Sequence, residues 1–164
     1  MINPFEVNAT GVYMLNGHYS HHGFQGCTQG EITLYPDNRV IGSVTDNEPK
    51  AVLKRIVLGL YDSYKNAIEL IKVKDGGWAP IFWRFSGNKA FSRRFEGEYE
   101  GRWINSVFIE DTSKFNSYLE ELCKIGIDKL GEIDVEALKH FFNLHVTKEF
   151  DGAGRIAIQR QNNL

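Results

Sequence analysis

The sequence predicts a mainly β fold of the α+β class, in which an antiparallel meander closes into an up-and-down barrel or forms a strongly curved sheet. Apolar and polar residues alternate in roughly seven or eight segments, and short turn signals separate these segments. Glycine recurs inside the segments, where it weakens a flat strand but permits sharp coiling. At 164 residues, the chain is expected to form a single domain, 1–164.

The first elements are a strand over residues 10–19 and a hairpin over residues 30–46. In the hairpin, Ile32 and Leu34 alternate with polar residues, and the alternation resumes at Val40. The turn between them starts at Pro36, because proline pre-sets φ and the following Asp and Asn suit turn positions. The glycine-rich segment between the strand and the hairpin predicts a loop.

Further strands are expected over residues 52–61, 67–74 and 80–86, each bounded by polar turns. The segment after them has the clearest alternation in the chain and predicts a strand with one apolar and one solvated face. The apolar face carries Phe95, Gly97, Tyr99, Gly101 and Trp103, and the solvated face carries Glu96, Glu98, Glu100 and Arg102.

The sheet is expected to occupy about residues 10–110, with a helical C-terminal segment over about 112–148 and a short tail over 150–164. Thr112 or Ser113 can cap the first of two helices, and Asp134 can cap the second. Both have an apolar stripe, so we expect them to pack against the sheet or across the mouth of the barrel. The sequence RIAIQR in the tail could add a short final strand.

This outline of a meander followed by helices resembles the calycin-type barrels, the group that includes lipocalins and avidins. The resemblance concerns architecture, and it implies a barrel. The Gly-x-Trp typical of the first lipocalin strand is replaced here by Gly11-Val12-Tyr13. No functional residue is therefore carried over from the family.

Large aromatic residues separated by glycines are expected on the inward face of the sheet. A small barrel with gaps beside such rings can hold one flat or apolar ligand. The sequence therefore predicts a non-enzymatic barrel that binds a small apolar or aromatic molecule. In the alternative interpretation, the same rings fill a dry core and the glycines let them interlock. The predicted ligand-binding residues are Tyr13, Trp83, Phe85, Tyr99 and Trp103.

Two other functions remain open. The chain could be a protein-protein interaction protein or a homodimeric structural protein with a filled core, in which an exposed helix or sheet face forms the contact. It could also be a barrel enzyme, an isomerase or hydrolase that uses His18, His21 or a buried glutamate. The alternating Glu96, Glu98 and Glu100 fit a solvent-facing strand better, because like charges repel in a dry interior. No catalytic residue and no cofactor are assigned.

A metal site is considered at His18, His21, His22 and Cys27, whose side chains are of the types that bind zinc or copper. Their spacing matches no standard motif, and adjacent histidines in an extended segment point in opposite directions. The expected assignment is a structural or solvated loop and no metal.

Composition argues against several partners. The net charge is −2, and the single basic-aromatic patch at Arg93-Arg94 is a weak signal, so we expect neither nucleic acid nor a membrane as partner. No signal peptide and no apolar run of about 20 residues is recognised. Cys27 and Cys123 form no disulfide framework, so two free thiols and a cytoplasmic location are expected.

Overall fold

The computed structural model describes residues 10–21, 24–74, 81–87, 95–105, 136 and 152–161. These residues form eight antiparallel strands in a closed barrel, and their order in the barrel is their order in the chain. The predicted antiparallel meander is thus confirmed, and of the two expected forms, a barrel or a curved sheet, the structure has the closed barrel. The strands are β1 Gly11–His21, β2 Phe24–Leu34, β3 Arg39–Glu48, β4 Ala51–Asp62, β5 Ala67–Lys74, β6 Ile81–Gly87, β7 Gly97–Asn105 and β8 Gly152–Arg160.

Strand β8 closes the barrel, because it pairs with β7 on one side and with β1 on the other. The expected short final strand over RIAIQR is confirmed, and it is longer than predicted. The two expected helices over about 112–148 lie outside the described residues, except that Glu136 is helical and exposed.

Local chemistry explains two of the described hairpin turns. Between β2 and β3, Asn38 adopts a positive φ of 70°, and its amide donates to the carbonyl of Tyr35. Between β4 and β5, Asn66 has a φ of 50°, and the Asp62 carboxylate accepts from the amides of Tyr64 and Lys65. Asparagine tolerates this left-handed conformation better than most residues, so both turns are specified by their sequence.

The glycine-rich segment after β1 is not the predicted loop, because β2 already begins at Phe24. Its glycines lie on the ladder, where they provide space for neighbouring side chains. A Cβ on Gly26 would lie 2.4 Å from Cζ of Tyr19, and one on Gly30 would lie 2.6 Å from Cα of Val44. These glycines therefore signal close approach inside a strand instead of a turn.

The barrel has two ends that differ in chemistry. We call the end where β1, β3, β5 and β7 finish the charged end, and the opposite end the tyrosine end. Alternate residues of each strand point into one continuous core that joins the two ends. The inward position of Phe95, Tyr99 and Trp103 and the exposure of the glutamates beside them agree with the predicted alternation.

Four apolar residues on the outer side of the wall are also buried. They lie directly opposite one another across neighbouring strands β3 to β6, and their exposed fractions are at most 7%. This part of the outer wall is therefore shielded from solvent. The residues are Ile41, Leu58, Ile71 and Phe82.

Candidate functional site

The candidate site lies at the charged end, where three aromatic side chains point inward near the ends of their strands. Trp83 of β6 and Trp103 of β7 are directly opposite in the ladder, and their ring centroids are 6.4 Å apart. The ring of Tyr19 meets Trp83 edge-on at 6.4 Å. Phe85 stacks on Trp83 at 4.8 Å with an interplanar angle of 3°.

The rings occupy the space that the glycines leave. A Cβ on Gly101 would lie 2.3 Å from Cδ1 of Phe85, and one on Gly152 would lie 2.2 Å from Nε1 of Trp103. Gly154 faces the edge of the Trp83 ring in the same way. On this side of the barrel the rings and the opposite backbone thus interlock, as expected for a well-packed interior.

One small gap remains beside these rings. Its volume is about 10 Å³, which is enough for a single water. Most of the side chains that line the gap are apolar. Lys72 also forms part of the lining. The other lining side chains include Leu15, Tyr19, Leu70, Trp83 and Phe85.

Ionised side chains lie next to the gap, inside the barrel. Nζ of Lys72 donates to Oδ1 of Asp46 at 2.9 Å and to Oγ1 of Thr28 at 3.2 Å. Nε of Arg55 is 2.9 Å from Oδ2 of Asp46. We call these four residues, Thr28, Asp46, Arg55 and Lys72, the charged cluster; each is at most 7% exposed.

Arg55 is poorly satisfied in this cluster. The Nε–Asp46 contact is short, but the N–H does not point at the carboxylate, so Nε makes an ion pair without a hydrogen bond. Nη1 is also buried and has no hydrogen-bond partner among the described residues. A buried guanidinium donor without an acceptor is costly, and such groups are rare in native interiors.

Burial also changes protonation at this end. Desolvation lowers the pKa of Lys72 below that of an ordinary lysine, although the Asp46 carboxylate acts in the opposite direction. The ammonium lies 5.4 Å from the ring centroid of Tyr19 and 5.7 Å from that of Trp83, so it faces both rings. Burial, followed by the hydrogen bond that its hydroxyl donates to Glu48 at 2.8 Å, raises the pKa of Tyr19.

The five predicted ligand-binding residues all point inward and are buried, but they do not form one group. Trp83, Phe85 and Trp103 meet at the charged end. Tyr13 and Tyr99 lie toward the tyrosine end, where Tyr13 contacts Phe95 edge-on at 4.8 Å. The hydroxyl of Tyr99 lies 2.7 Å from the Phe95 carbonyl and 3.2 Å from the Asn66 side-chain oxygen.

The charged cluster is not identified from the sequence, in which position 46 is treated only as the end of the predicted hairpin. A signal was present: Asp46 continues the inward alternation of Val40 and Val44. In the same way, Lys72 follows Ile68 and Leu70 on β5. A charged residue at an inward position of a strand is the pattern that could have revealed the cluster.

The other candidates are not part of the charged cluster. His18 and Cys27 are directly opposite on β1 and β2, and both are exposed on the outer wall. The described part of the chain contains no group of three or more His, Cys, Asp or Glu side chains that could hold a metal ion. Nothing is described of His22 or of the side chain of His21. Glu96, Glu98 and Glu100 are exposed.

Compared with known protein families, curated proteins and solved structures, the chain matches none of them. Within the described ranges, no helix has the length and apolar character needed to cross a membrane. The arguments for function therefore come from the geometry of the charged end.

Proposed function

We propose that the protein is a non-enzymatic binding protein that holds one small apolar or aromatic molecule at the charged end of its barrel. The observation that carries this proposal is the gap of about 10 Å³ beside Tyr19, Trp83 and Phe85, whose lining includes Lys72. Apolar pockets with a few polar groups are the usual form of small-molecule sites.

The gap must widen before a ligand can enter. Lysine has an unbranched side chain with four rotatable bonds, so the stem of Lys72 can change rotamer and widen the gap while its ammonium stays on Asp46. The ligand then takes the position of the Lys72 stem against the faces of Tyr19 and Trp83. Entry from the tyrosine end is less favourable, because Asn66, Tyr61 and Tyr99 are hydrogen-bonded across it.

The proposal also assigns the protein to the cytoplasm and includes neither nucleic acid nor a membrane as partner. The free, exposed thiol of Cys27 supports this assignment, since such thiols persist in reducing compartments. The net charge of −2 supports the exclusion of polyanionic partners.

The test compares two conservative variants in a titration with 2-naphthamide, a neutral aromatic probe. Wild type is expected to bind one probe per chain. Trp83→Phe keeps a ring but removes contact area, so it is expected to bind about five- to tenfold more weakly. Tyr61→Phe, at the tyrosine end, is the matched control and is expected to bind like wild type.

Native mass spectrometry of the freshly purified protein extends this test to a ligand carried from the cell. Additional non-covalent mass on wild type that is reduced on Trp83→Phe supports the proposal. A wild type that carries no ligand and binds no aromatic probe contradicts it.

The packed interior specifically favours a second candidate, the interaction protein or homodimer with a filled core. In that case the rings over Gly101, Gly152 and Gly154 serve stability alone. A discrete dimer in light scattering, together with the absence of probe binding, would favour this candidate over the binding barrel.

A further inference from the structure

We propose that the ligand carries a carboxylate and that Arg55 in the charged cluster binds it. This inference rests on the proposed function, since it specifies the chemistry of the molecule held beside Trp83. The ligand would thus be amphipathic, with its apolar body on the rings and its anionic group on the guanidinium.

Buried positive charge exceeds buried negative charge among the described residues of the charged cluster. Arg55 and Lys72 are 7% and 3% exposed, and they share the carboxylate of Asp46, which is 2% exposed. In the part of the barrel that the structure describes, two buried cations therefore share one buried anion, and an anionic ligand would complete the balance. Glu48 is nearby at the rim, but its carboxylate holds the Tyr19 hydroxyl, and its partial exposure lets water screen it.

The second argument is the difference between the two cations. Lys72 already donates to Asp46 and Thr28, so most of its hydrogen-bonding capacity is used. Among the described residues, the buried Nε and Nη1 of Arg55 have no hydrogen-bond partner. Nε lies against Oδ2 of Asp46, so Nη1 is the donor that can bind an oxygen of the ligand carboxylate.

The third argument is position. The charged cluster lies at the same end as Trp83 and Trp103, and Thr28 and Lys72 line the gap next to Trp83. A molecule with its ring on Trp83 can therefore present a short polar group to the cluster without leaving the barrel.

The experiment measures the affinities of 2-naphthoate and of 2-naphthamide, which have nearly the same shape but differ in charge. Wild type is expected to bind the naphthoate about tenfold more tightly, as expected for hydrogen bonds to a charged group. In Arg55→Met this preference should disappear while the affinity for the naphthamide is retained. Arg55→Lys keeps the charge without the planar fork and should recover part of the preference.

Arg84→Met is the matched control, because Arg84 is an exposed arginine of the outer wall paired with Glu69. It should keep the full preference for the naphthoate. A second measurement uses acetate alone: it should raise the melting temperature of wild type in a saturable way and have no such effect on Arg55→Met.

The outcomes separate the two proposals. Equal binding of both naphthyl probes by wild type overturns the carboxylate site and leaves the binding barrel standing. Saturable stabilisation by acetate without binding of either naphthyl probe contradicts the apolar ligand and supports the anion site. Absence of both responses overturns both proposals.

Discussion

At the tyrosine end the buried polar groups are neutral and hydrogen-bonded to one another, whereas at the charged end they are ionisable and two nitrogens of Arg55 have no hydrogen-bond partner among the described residues. Tyr61 and Tyr99 share the side-chain oxygen of Asn66. At the other end, Arg55 and Lys72 share Asp46, and Nε and Nη1 of Arg55 find no hydrogen-bond acceptor in the described part of the chain. One barrel thus combines an end suited to stability with an end that departs from the rules for a stable core.

Such departures are expected where a protein has a function to perform. A buried neutral network costs little once every group is paired. A buried ionic cluster is a weak source of stability, because the desolvation of each charge offsets the attraction. The difference between the ends therefore adds to the gap beside Trp83 as a reason for proposing a site at the charged end.

The largest expected effect comes from removing the shared carboxylate. Asp46→Asn leaves Arg55 and Lys72 buried without an anion, so we expect the free energy of unfolding to fall by about 3–5 kcal/mol. Urea denaturation measures this loss. Glu69→Gln is the control, because its ion pair with Arg84 is partly exposed and should contribute less than about 1 kcal/mol. Equal losses in both variants would show that the charged cluster is not a special environment.

A smaller effect is expected on the pH dependence of the free energy of unfolding, which should differ between the two ends. Burial lowers the pKa of Lys72 below its ordinary value of 10.5, so at intermediate pH the unfolded chain binds the proton that the folded chain has lost. Stability from this group therefore rises with pH up to about 10.5. Urea unfolding of Lys72→Met between pH 8 and 11 should show a flatter pH dependence than that of wild type.

Tyr99 at the tyrosine end should behave in the opposite sense. Burial, followed by the neighbouring Tyr61, raises its pKa above the ordinary 10.0, so the folded chain keeps a proton that the unfolded chain loses. The stability from this group is fully present below pH 10 and decreases above it. Tyr99→Phe should therefore reduce the alkaline loss of stability; an unchanged loss would assign it to other groups.

The smallest change in the free energy of unfolding is expected for an ion pair on the outer surface of the barrel. Glu100 pairs with Arg155 at 2.7 Å, but both side chains are more than two-thirds exposed, at 71% and 74%. Glu100→Gln should change the free energy of unfolding by less than about 0.5 kcal/mol, because water screens such pairs. A loss of several kcal/mol in thermal or urea unfolding would contradict the solvent-facing position of this row of glutamates.

Local alternation was sufficient to predict most of the strands and the inward position of the five aromatic residues. The start of β2 was missed because its glycines resemble those of a loop in the local sequence. Their role is tertiary, since Gly26 and Gly30 allow the close approach of Tyr19 and Val44. The pairing of β8 with β1 joins residues that are far apart in the sequence, such as Tyr13 and Arg160. Local sequence patterns cannot predict the register of such a pair.

The candidate site was predicted only in part, for a similar reason. Trp83, Phe85 and Trp103 were identified by residue type and spacing. Their separation from Tyr13 and Tyr99 depends on where each residue lies along the barrel axis. That position can be known only when the register of each pair of neighbouring strands is known. The meeting of Asp46 and Lys72 depends on contacts across the barrel interior, which neighbouring positions in the sequence do not reveal.

The position of β8 also determines the order in which the molecule can be completed during synthesis. Strands β1 to β7 are translated first, and the edges of β1 and β7 then lack the partner that both need, because residues 152–160 emerge from the ribosome much later. Unpaired edges are templates for association with other chains. Between the emergence of Asn105 and that of Arg160, the nascent chain therefore presents two strand edges that pair only later with β8.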